Sequence, residues 1–567
     1  MRNNRGSHCH PPTGTRILRA DSNFGTGTAR TGPNTWLAKA NNSPTRRCRD
    51  RHMRATSLGH AGILIEASGR TITCDPWFIP AFHGSWFVFP RNDRLPRHLL
   101  DAVERTTYLY ISHQHADHLD EAWLSDHLNR DATVLLPDFP TRELEYRLTR
   151  LGFHSMIRTR DGEEVDLGDG LRVAIHVETS VTDGPGGDSA IVVSSPTGRL
   201  VNQNDCRTGD VGALRQHGPV DLHWLQFSGA IWYPMVYDEE PATLKRLAAA
   251  KVESQFARAM RYVESVDSRA VVPSAGPPCF LDPDLFHLNV IDGDEPSIFP
   301  DQTAFHRRLA AAKRVGLLTV PGTSVEVTDH GITVTHPNGD DEARRPFDDK
   351  RSYLQEYQRD WLPWLESLKA TWPSVRTDLV ASLKAWWEPL LALAPTLRTA
   401  VGDACLIRTD GAKILLDFPT GTVSEHDGRD TGFRLTVPRP LLELVVAEHA
   451  VDWSNSLFLS CRFSAWRRGE YNEHFYNFFK SLSPERMRRA EEEAVRRRAP
   501  VAPPSDTVRI GRFIVQRQCP HRQADLGEFG ILDGDHIVCT LHGWRFRTSD
   551  GSCVNADDRR LSVRRAE

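Results

Sequence analysis

The chain has 567 residues, which is enough for about three or four folding units with separate cores. Hydrophobic residues make up 39% and charged residues 25%, a globular composition that excludes a collagen, a coiled coil and a wholly disordered chain. No apolar run reaches the ~18 residues of a membrane-spanning helix, and no signal-peptide core follows the first residue. Ten cysteines are too few for a disulfide scaffold. We therefore expect a soluble, cytoplasmic protein with no membrane partner.

The charge is distributed unevenly along the chain. The net charge at pH 7 is −4, yet residues 1–52 hold nine Arg and one Lys against two Asp. This segment has no helical or strand period, so residues 1–52 are predicted to be a disordered tail. The rest of the chain is acidic overall, which argues against nucleic acid as a partner.

Residues 53–340 have the pattern of a strand-rich domain with a long helical segment at residues 239–266. Strands followed by a helix and further strands predict two sheets sandwiched between helices, an αββα arrangement, within a multidomain α+β protein. The predicted strands are residues 62–67, 71–74, 107–111, 132–136, 171–177, 190–194, 200–202, 222–227 and 270–273.

Residues 345–480 are predicted to form a mixed helix and strand domain. Its many tryptophans are interpreted as packing, because dense aromatic residues form cores more often than ligand cages. The predicted elements are strands 404–408 and 414–417 and helices 435–450 and 472–479. This order of elements resembles sterol-carrier-like modules. Residues 481–505 are predicted to be a solvated helix, over residues 486–498, followed by a Pro-containing linker.

Two Cys and two His near the C-terminus have the spacing of a metal centre: Cys519-x-His521 and Cys539-x-x-His542. Two thiolates can hold one iron while two imidazoles hold a second, which is the ligation of a Rieske [2Fe–2S] cluster. A closed tetrahedral zinc site is the alternative. The second loop resembles that of Rieske ferredoxins and oxygenases, which implies a small all-β Rieske domain over residues 506–567. Such a cluster only transfers electrons, so a second site must use them.

A second group of metal-binding side chains follows the strand predicted at residues 107–111. The group consists of His113, His115, Asp117 and His118. A loop at the end of a strand can direct alternate side chains, His113 and His115, at one metal. Asp117 and His118, one turn further on, can face a second metal.

The pattern H-x-H-x-D-H resembles the metal-binding signature of the metallo-β-lactamase fold. The resemblance implies that Asp75 is a supporting carboxylate and that Asp205 bridges two metals. The expected metal site therefore contains His113, His115, Asp117, His118, Asp205 and Asp75, with Asp117 and Asp205 as its catalytic carboxylates.

Two histidines that the fold usually supplies further along the chain have no clear counterpart in this sequence. Candidates for the remaining ligands are His176, Glu178, Asp188, Asp282 and His287. A site with fewer His and more carboxylates suits iron at least as well as zinc. We therefore expect iron, mononuclear or dinuclear, in this domain.

One enzyme family, CMP-N-acetylneuraminate hydroxylase, joins a Rieske domain to a metallo-β-lactamase-like domain. Segments 188–206, 227–230, 273–276 and 452–458 also resemble segments of that family. In the family the Rieske domain is N-terminal, whereas here it is C-terminal, and residues 182–187 lack an expected His. These departures bear on the substrate rather than on the type of reaction.

The sequence therefore predicts a Rieske-fed, iron-dependent hydroxylase or N-oxygenase that acts on a small polar metabolite. The resemblance suggests an amino- or N-acyl-sugar or a nucleotide sugar as substrate, with O₂ as co-substrate. A ferredoxin or cytochrome-type donor with its reductase would reduce the cluster. If the two centres lie far apart within one chain, a homo-oligomer would be needed for electron transfer.

Two other classes of protein stay open at this point. The first is a zinc hydrolase of the metallo-β-lactamase fold with an accessory Rieske cluster, in which zinc polarises a bound water. The second is an electron-transfer or redox-sensing protein whose N-terminal metal site is inactive. Metal content and O₂ uptake distinguish the three.

Overall fold

The computed structural model describes residues 52–179, 186–229, 231–293, 295–469, 471–498, 506–521, 523–541, 543–555 and 559–566. The predicted linker at residues 499–505, the predicted tail up to residue 51 and the predicted cluster ligand His542 lie outside these ranges. Across the described ranges, none of the helices combines the length and the apolar character needed to cross a membrane.

The first part of the chain contains fourteen strands in the described ranges. They are β1 Met53–Gly59, β2 Gly62–Ala67, β3 Arg70–Cys74, β4 Tyr108–Tyr110, β5 Thr133–Leu136, β6 Met156–Arg158, β7 Glu164–Gly168, β8 Leu171–Glu178, β9 Asp188–Ser195, β10 Gly198–Asn204, β11 Leu222–Gln226, β12 Ala270–Ser274, β13 Ser324–Thr328 and β14 Gly331–Thr335. They form an eight-stranded sheet in the order β14-β13-β1-β2-β3-β4-β5-β6 and a six-stranded sheet in the order β12-β11-β10-β9-β8-β7.

Helices alternate with these strands. They are α1 Arg97–Glu104, α2 Glu121–His127, α3 Glu143–Arg150, α4 Val211–Arg215, α5 Pro241–Val266, α6 Gln302–Ala311, α7 Asp340–Asp348 and α8 Lys350–Ala370, with a 3₁₀ turn at Phe286–Leu288. Helix α5 begins two residues later than predicted because Pro241 occupies its first turn, where the missing N–H has no intrahelical partner to lose.

The two sheets pack face to face with helices on both outer faces. Ile65 and Ile191 meet between the sheets, Leu124 of α2 packs on the outer face of the first sheet, and Val263 and Phe305 cover the outer face of the second. This four-layered arrangement confirms the predicted αββα, metallo-β-lactamase-like fold. Strands β13 and β14, absent from the sequence prediction, extend the first sheet through the antiparallel pairing of β13 with β1.

The middle part of the chain is a five-stranded sheet with helices. Its elements are α9 Leu379–Ala392, α10 Pro395–Val401, β15 Ala404–Thr409, β16 Ala412–Asp417, β17 Thr422–Glu425, β18 Phe433–Thr436, α11 Arg439–Ala447, β19 Ser464–Arg467, α12 Glu473–Lys480 and α13 Pro484–Arg498, with the strand order β17-β16-β15-β18-β19. Trp387 and Trp453 are fully buried, with ring centroids 5.0 Å apart, as the packing interpretation requires.

Two sequence predictions in this part were wrong. The helix predicted at residues 435–450 starts too early, because β18 pairs in parallel with β15 and Pro438 precedes α11. The helix predicted at residues 486–498 is not solvated on all sides. Met487, Ala490 and Ala494 of α13 are buried in the same core as Trp387, since their spacing places them on one face of the helix.

The C-terminal part contains two three-stranded sheets. Its elements are β20 Thr507–Ile510, β21 Phe513–Gln516, α14 Leu526–Phe529, β22 Gly530–Asp533, β23 His536–Cys539, β24 Trp544–Arg547 and β25 Val563–Arg565, in the orders β20-β21-β25 and β22-β23-β24. Phe513 and Phe546 belong to the same buried cluster as Val263 of α5. The core is therefore continuous across the boundary predicted at residue 506, and the domain boundaries stay predictions.

Candidate metal centre and Rieske site

The polar side chains of the N-terminal domain gather where strands end. Asp75 directly follows β3, the segment 112–118 follows β4, and Asp205 follows β10. Strands β3 and β4 are parallel, so their carboxyl ends open at the same edge of the sheet, where ligands of α/β folds commonly bind.

The predicted metal-binding side chains come together in two groups that share His118. His60, Asp117 and His118 each place one ligand atom within 4.8 Å of the other two, and so do His113, His118 and Asp205. His118 Nε2 lies 3.8 Å from Asp117 Oδ2 and 3.6 Å from Asp205 Oδ1. His115 lies beside this pair of groups, with its Nδ1 2.8 Å from His113 Nε2.

Asp75 supports the metal-binding groups by contacting the Nδ1 side of His118, away from its Nε2. Its Oδ1 accepts a hydrogen bond from the Ser112 backbone N–H, and its Oδ2 accepts hydrogen bonds from Ser112 Oγ and Asn204 Nδ2, all at 2.7 Å. His118 Nδ1 lies 3.1 Å from the same Oδ2. Asp75 therefore orients His118 so that its Nε2 faces the cluster.

The protonation of the cluster reflects a mixture of buried carboxylates and imidazoles. Burial opposes charge on His118, but Asp117, Asp205 and Asp75 outweigh it and raise the pKa of His118 to about 10. Burial, with His118 and His115 nearby, lowers the pKa of His113. Burial likewise opposes charge on Asp117, yet His118 and His60 hold its pKa at about 2.

These residues fit a metal ion. His118 Nε2, His115 Nε2 and Asp205 Oδ1 are buried and make no hydrogen bond within the described part of the chain. Buried polar atoms normally have partners, and imidazole nitrogens with carboxylate oxygens are the donor set of iron and zinc sites. The group could hold one or two metal ions.

The structure places the remaining candidates differently. Asp188 Oδ1 lies 3.4 Å from His113 Nδ1, at the edge of the cluster. His176 contacts His217 instead, with their Nε2 atoms 2.9 Å apart, and Glu178 is in neither metal-binding group. Asp282 forms ion pairs with Arg462 and Lys369 at 2.6 and 2.5 Å.

His287, the last candidate, lines a different cavity together with Leu285 and Trp372. The structure therefore brings neither Asp282 nor His287 to the cluster.

His60 is a site residue that the sequence reasoning missed. It lies in the turn between β1 and β2 with φ +50°, and its Nε2 is 3.1 Å from Asp117 Oδ2. Its only sequence signal is a His between two glycines, Gly59 and Gly62, at the junction of two strands. A single His with no neighbouring ligand gives no metal-binding pattern.

Of the predicted cluster ligands of the C-terminal domain, Cys519, His521 and Cys539 lie within the described residues. Cys519 follows β21, Cys539 ends β23, and both are fully buried. His521 stacks on Trp544 with ring centroids 3.9 Å apart and an interplanar angle of 10°. The Gly543 N–H donates to the Cys539 carbonyl at 2.7 Å, which closes the second loop.

One cavity of about 360 Å³ joins the two sites. It is lined by His115, Asp188 and Asp205 from the metal-binding domain and by His521 and Trp544 from the C-terminal domain. The middle part of the chain supplies the remaining side, including Tyr476. The volume falls within the range of small-molecule sites.

Comparisons with known proteins agree with this organisation. Residues 379–496 match the family described as Rv3818-like, SCP2-like domain, and residues 509–563 match the Rieske [2Fe-2S] domain. A Mycolicibacterium smegmatis protein, provisionally named a Rieske 2Fe-2S iron-sulfur protein, is 39% identical over 523 residues, covering 90% of this chain and 99% of that protein. The resemblance to sterol-carrier-like modules is thereby confirmed.

Two more distant similarities concern enzymes. The cytidine monophosphate-N-acetylneuraminic acid hydroxylase of Danio rerio is 26% identical over 236 residues, covering 39% of this chain and 37% of that protein. The solved structure of CmlA, a diiron beta-hydroxylase from Streptomyces venezuelae, aligns with 49% of this chain and 54% of its own at 17% identity, with a TM-score of 0.32.

The fold and the sites define a Rieske [2Fe–2S] protein that also carries a metallo-β-lactamase-like, metal-binding domain. With 39% identity along nearly the whole of its relative, the chain belongs to the family of mycobacterial Rieske 2Fe-2S iron–sulfur proteins.

Proposed function

We propose that the protein is an oxygenase in which the Rieske cluster supplies electrons to iron bound in the metallo-β-lactamase-like domain. The observation that supports it best is the shared cavity, because His521 and Trp544 line the same cavity as His115 and Asp205. An electron donor and a metal site that lie on one cavity can act on the same substrate.

The proposed iron ligands come from the two groups around His118. They are His60, His113, His115, Asp117, His118 and Asp205. Asp75 positions His118, and such supporting carboxylates are important for metal affinity. Iron held there would activate O₂ when the cluster delivers electrons.

The proposed cluster ligands are Cys519, His521, Cys539 and His542. Stacking on Trp544 fixes the ring of His521, and Glu473 Oε2 lies 3.7 Å from His521 Nε2. Glu473 belongs to α12 and is itself ion-paired with Arg559 at 2.6 Å, both side chains being buried. The middle domain thus holds the imidazole end of the cluster loop toward the cavity.

Because residues of both sites line one cavity, we propose that electrons pass between the two centres within one chain. A ferredoxin or cytochrome-type protein with its reductase would reduce the cluster. Similarity to a hydroxylase over 39% of the chain favours insertion of oxygen into a small polar metabolite. An amino- or N-acyl-sugar or a nucleotide sugar is the substrate class that this similarity suggests.

The test is anaerobic metal analysis and electron paramagnetic resonance of the reduced protein, followed by O₂ uptake with excess reductant. We expect a rhombic Rieske signal, additional iron, and O₂ uptake that His118→Ala abolishes while the Rieske signal stays. His154→Ala, which changes an exposed His of the same domain, is the matched control and should behave as wild type.

Two results would contradict the proposal. Zinc in the second site, with hydrolytic activity that is indifferent to reductant, would favour the metal-hydrolase alternative. O₂ uptake that His118→Ala leaves unchanged would assign the protein to electron transfer or redox sensing.

A further inference from the structure

The shared cavity has a positively charged side next to the metal site. Arg207 follows the proposed ligand Asp205 by two residues, and Lys251 and Arg258 both lie on α5, seven residues apart. That spacing places Lys251 and Arg258 on one face of the helix, and all three side chains line the cavity.

Two of these cations have no directly paired carboxylate among the described residues, although Asp205 is near enough to Arg207 to interact with it electrostatically. Lys251 and Arg207 are only partly exposed, and neither forms an ion pair or a hydrogen bond with any described residue. Burial, with Arg207 and Arg258 nearby, lowers the pKa of Lys251 to about 7. The three cations therefore repel one another in a partly desolvated space.

Each carboxylate that lines the same cavity has an imidazole or cationic side chain close to it. Asp205 lies 3.6 Å from His118, Asp188 lies 3.4 Å from His113, and Glu473 pairs with Arg559. Keeping cations without a partner in a buried space costs free energy. Such a cost is understandable where a ligand supplies the missing anion.

Aromatic side chains also line the cavity. The Arg467 guanidinium lies over the rings of Tyr233 and Tyr471, 5.0 and 5.8 Å from their centroids, and Tyr471 stacks on Tyr476 at 5.2 Å. Aromatic side chains accept the less polar part of a ligand, and here they line the cavity together with a further cation, Arg467.

We propose that the cavity binds a substrate with a carboxylate or phosphate group, for which Arg207 and Lys251 are the counter-charges. The assignment rests on the proposed function only in calling this ligand the substrate. Arg207 and Lys251 act as binding residues, and they hold the anionic group of the ligand in the cavity that the metal site shares.

The experiment is isothermal titration of the oxidised holoprotein with inorganic phosphate and, separately, with acetate, without O₂ turnover or reductant. We expect one site for at least one of these anions. Lys251→Met and Arg207→Met should each weaken binding by about tenfold, equivalent to the loss of one charged contact. Lys251→Arg should bind within about threefold of wild type, because it keeps the charge.

Lys245→Met is the matched control, since Lys245 lies on the same helix but is exposed and does not line this cavity. It should bind phosphate or acetate as wild type does. Circular dichroism and the Rieske signal of each variant show whether folding and cluster content are retained.

The results separate this inference from the proposed function. Absence of binding of both anions, or binding that Lys251→Met and Arg207→Met leave unchanged, would overturn the anion site. Phosphate binding that depends only on the bound metal, and disappears on chelation, would overturn it as well. Specific anion binding in a protein with no O₂ uptake would support the site while contradicting the oxygenase.

Discussion

Asp75 shows how one buried carboxylate organises the metal-binding cluster. It accepts hydrogen bonds from the Ser112 N–H, Ser112 Oγ and Asn204 Nδ2 while facing His118 Nδ1. These contacts hold the loop after β4 to the end of β10. Asp75 therefore fixes the positions of these side chains, and its charge helps to raise the pKa of His118.

Replacing Asp75 with Asn tests this role. The backbone of Asp75 has φ +43°, a conformation that Asn also tolerates, so the fold should persist. Metal affinity, measured by competition with a chelator, should fall roughly 10–100-fold, as expected for a lost supporting carboxylate. Asp138→Asn, at an exposed position after β5, should leave it unchanged. Equal affinity in Asp75→Asn would show that His118 needs no such support.

His223 predicts a specific pH dependence of stability. It is fully buried in β11, its Nε2 lies 2.9 Å from Gln203 Oε1, and burial lowers its pKa to about 3. Because the unfolded chain takes up this proton first as the pH falls below about 6.5, His223 reduces the free energy of unfolding between pH 6.5 and pH 3.

His223→Gln removes this proton and retains a donor for Gln203. The free energy of unfolding, measured in urea at pH 6.5 to 4.5, should then fall less steeply with acid, by up to about 1.4 kcal/mol per pH unit. Curves for variant and wild type that stay parallel would show that the imidazole of His223 is accessible to protons in the folded state.

At the scale of elements, α5 connects the two metal-containing domains. Its buried face packs on the second sheet, while Tyr262 meets Phe529 of α14 at 5.7 Å. A Cβ atom at Gly543, in the second cluster loop, would lie 3.1 Å from Ser254 Oγ. The same helix carries Lys251 and Arg258 into the cavity, so one element positions the Rieske loop and the cationic side together.

The charge pattern of α13 predicted a solvated helix, whereas one of its faces is buried. Substitutions on the buried and the exposed face test this difference directly. Met487 is fully buried, and Met487→Ala should destabilise the protein by roughly 2–5 kcal/mol because it leaves a cavity. The apparent melting temperature and hydrogen exchange of α13 measure this loss. Val495→Ala, at a side chain 51% exposed on the same helix, should cost within about 0.5 kcal/mol. Similar losses of stability for Met487→Ala and Val495→Ala would indicate that α13 is a solvated helix.

At the scale of the whole molecule, the middle domain holds the Rieske domain over the metal site. The buried pair of Glu473 and Arg559 joins α12 to the C-terminal domain, and Glu473 also faces His521. Removing one partner of a buried ion pair leaves the other charge without compensation and destabilises the protein. This contact therefore fixes the orientation of the cluster loop relative to the cavity.

Glu473→Gln keeps the shape of the side chain and removes its charge. We expect the Rieske signal to stay, with altered g-values, and reoxidation of the reduced cluster by O₂ to slow by about tenfold or more, a loss on the order of one charged contact. Asp506→Asn, which breaks an exposed ion pair with Arg517 within the Rieske domain, is the matched control. An unchanged rate of reoxidation in Glu473→Gln would show that Glu473 does not influence electron transfer from the Rieske cluster.

The sequence by itself determined the parts whose signal is local. The Cys-x-His and Cys-x-x-His spacings, the cluster from His113 to His118, and the alternating strands of the two sheets all depend on neighbours a few residues apart, and this is the range over which a pattern can be recognised. The αββα fold and the Rieske domain were predicted from such patterns, and the order of elements in the middle part resembled a sterol-carrier-like module.

Only the tertiary structure decided what depends on residues far apart in the chain. His60 meets Asp117 across 57 positions, and His521 and Asp205 line one cavity although more than half the chain separates them. The buried face of α13 was hidden by its charge, because burial depends on which core a helix meets and not on its own composition. Long-range packing leaves no periodic trace in the sequence, so the shared cavity and its cationic side became visible only in the folded chain.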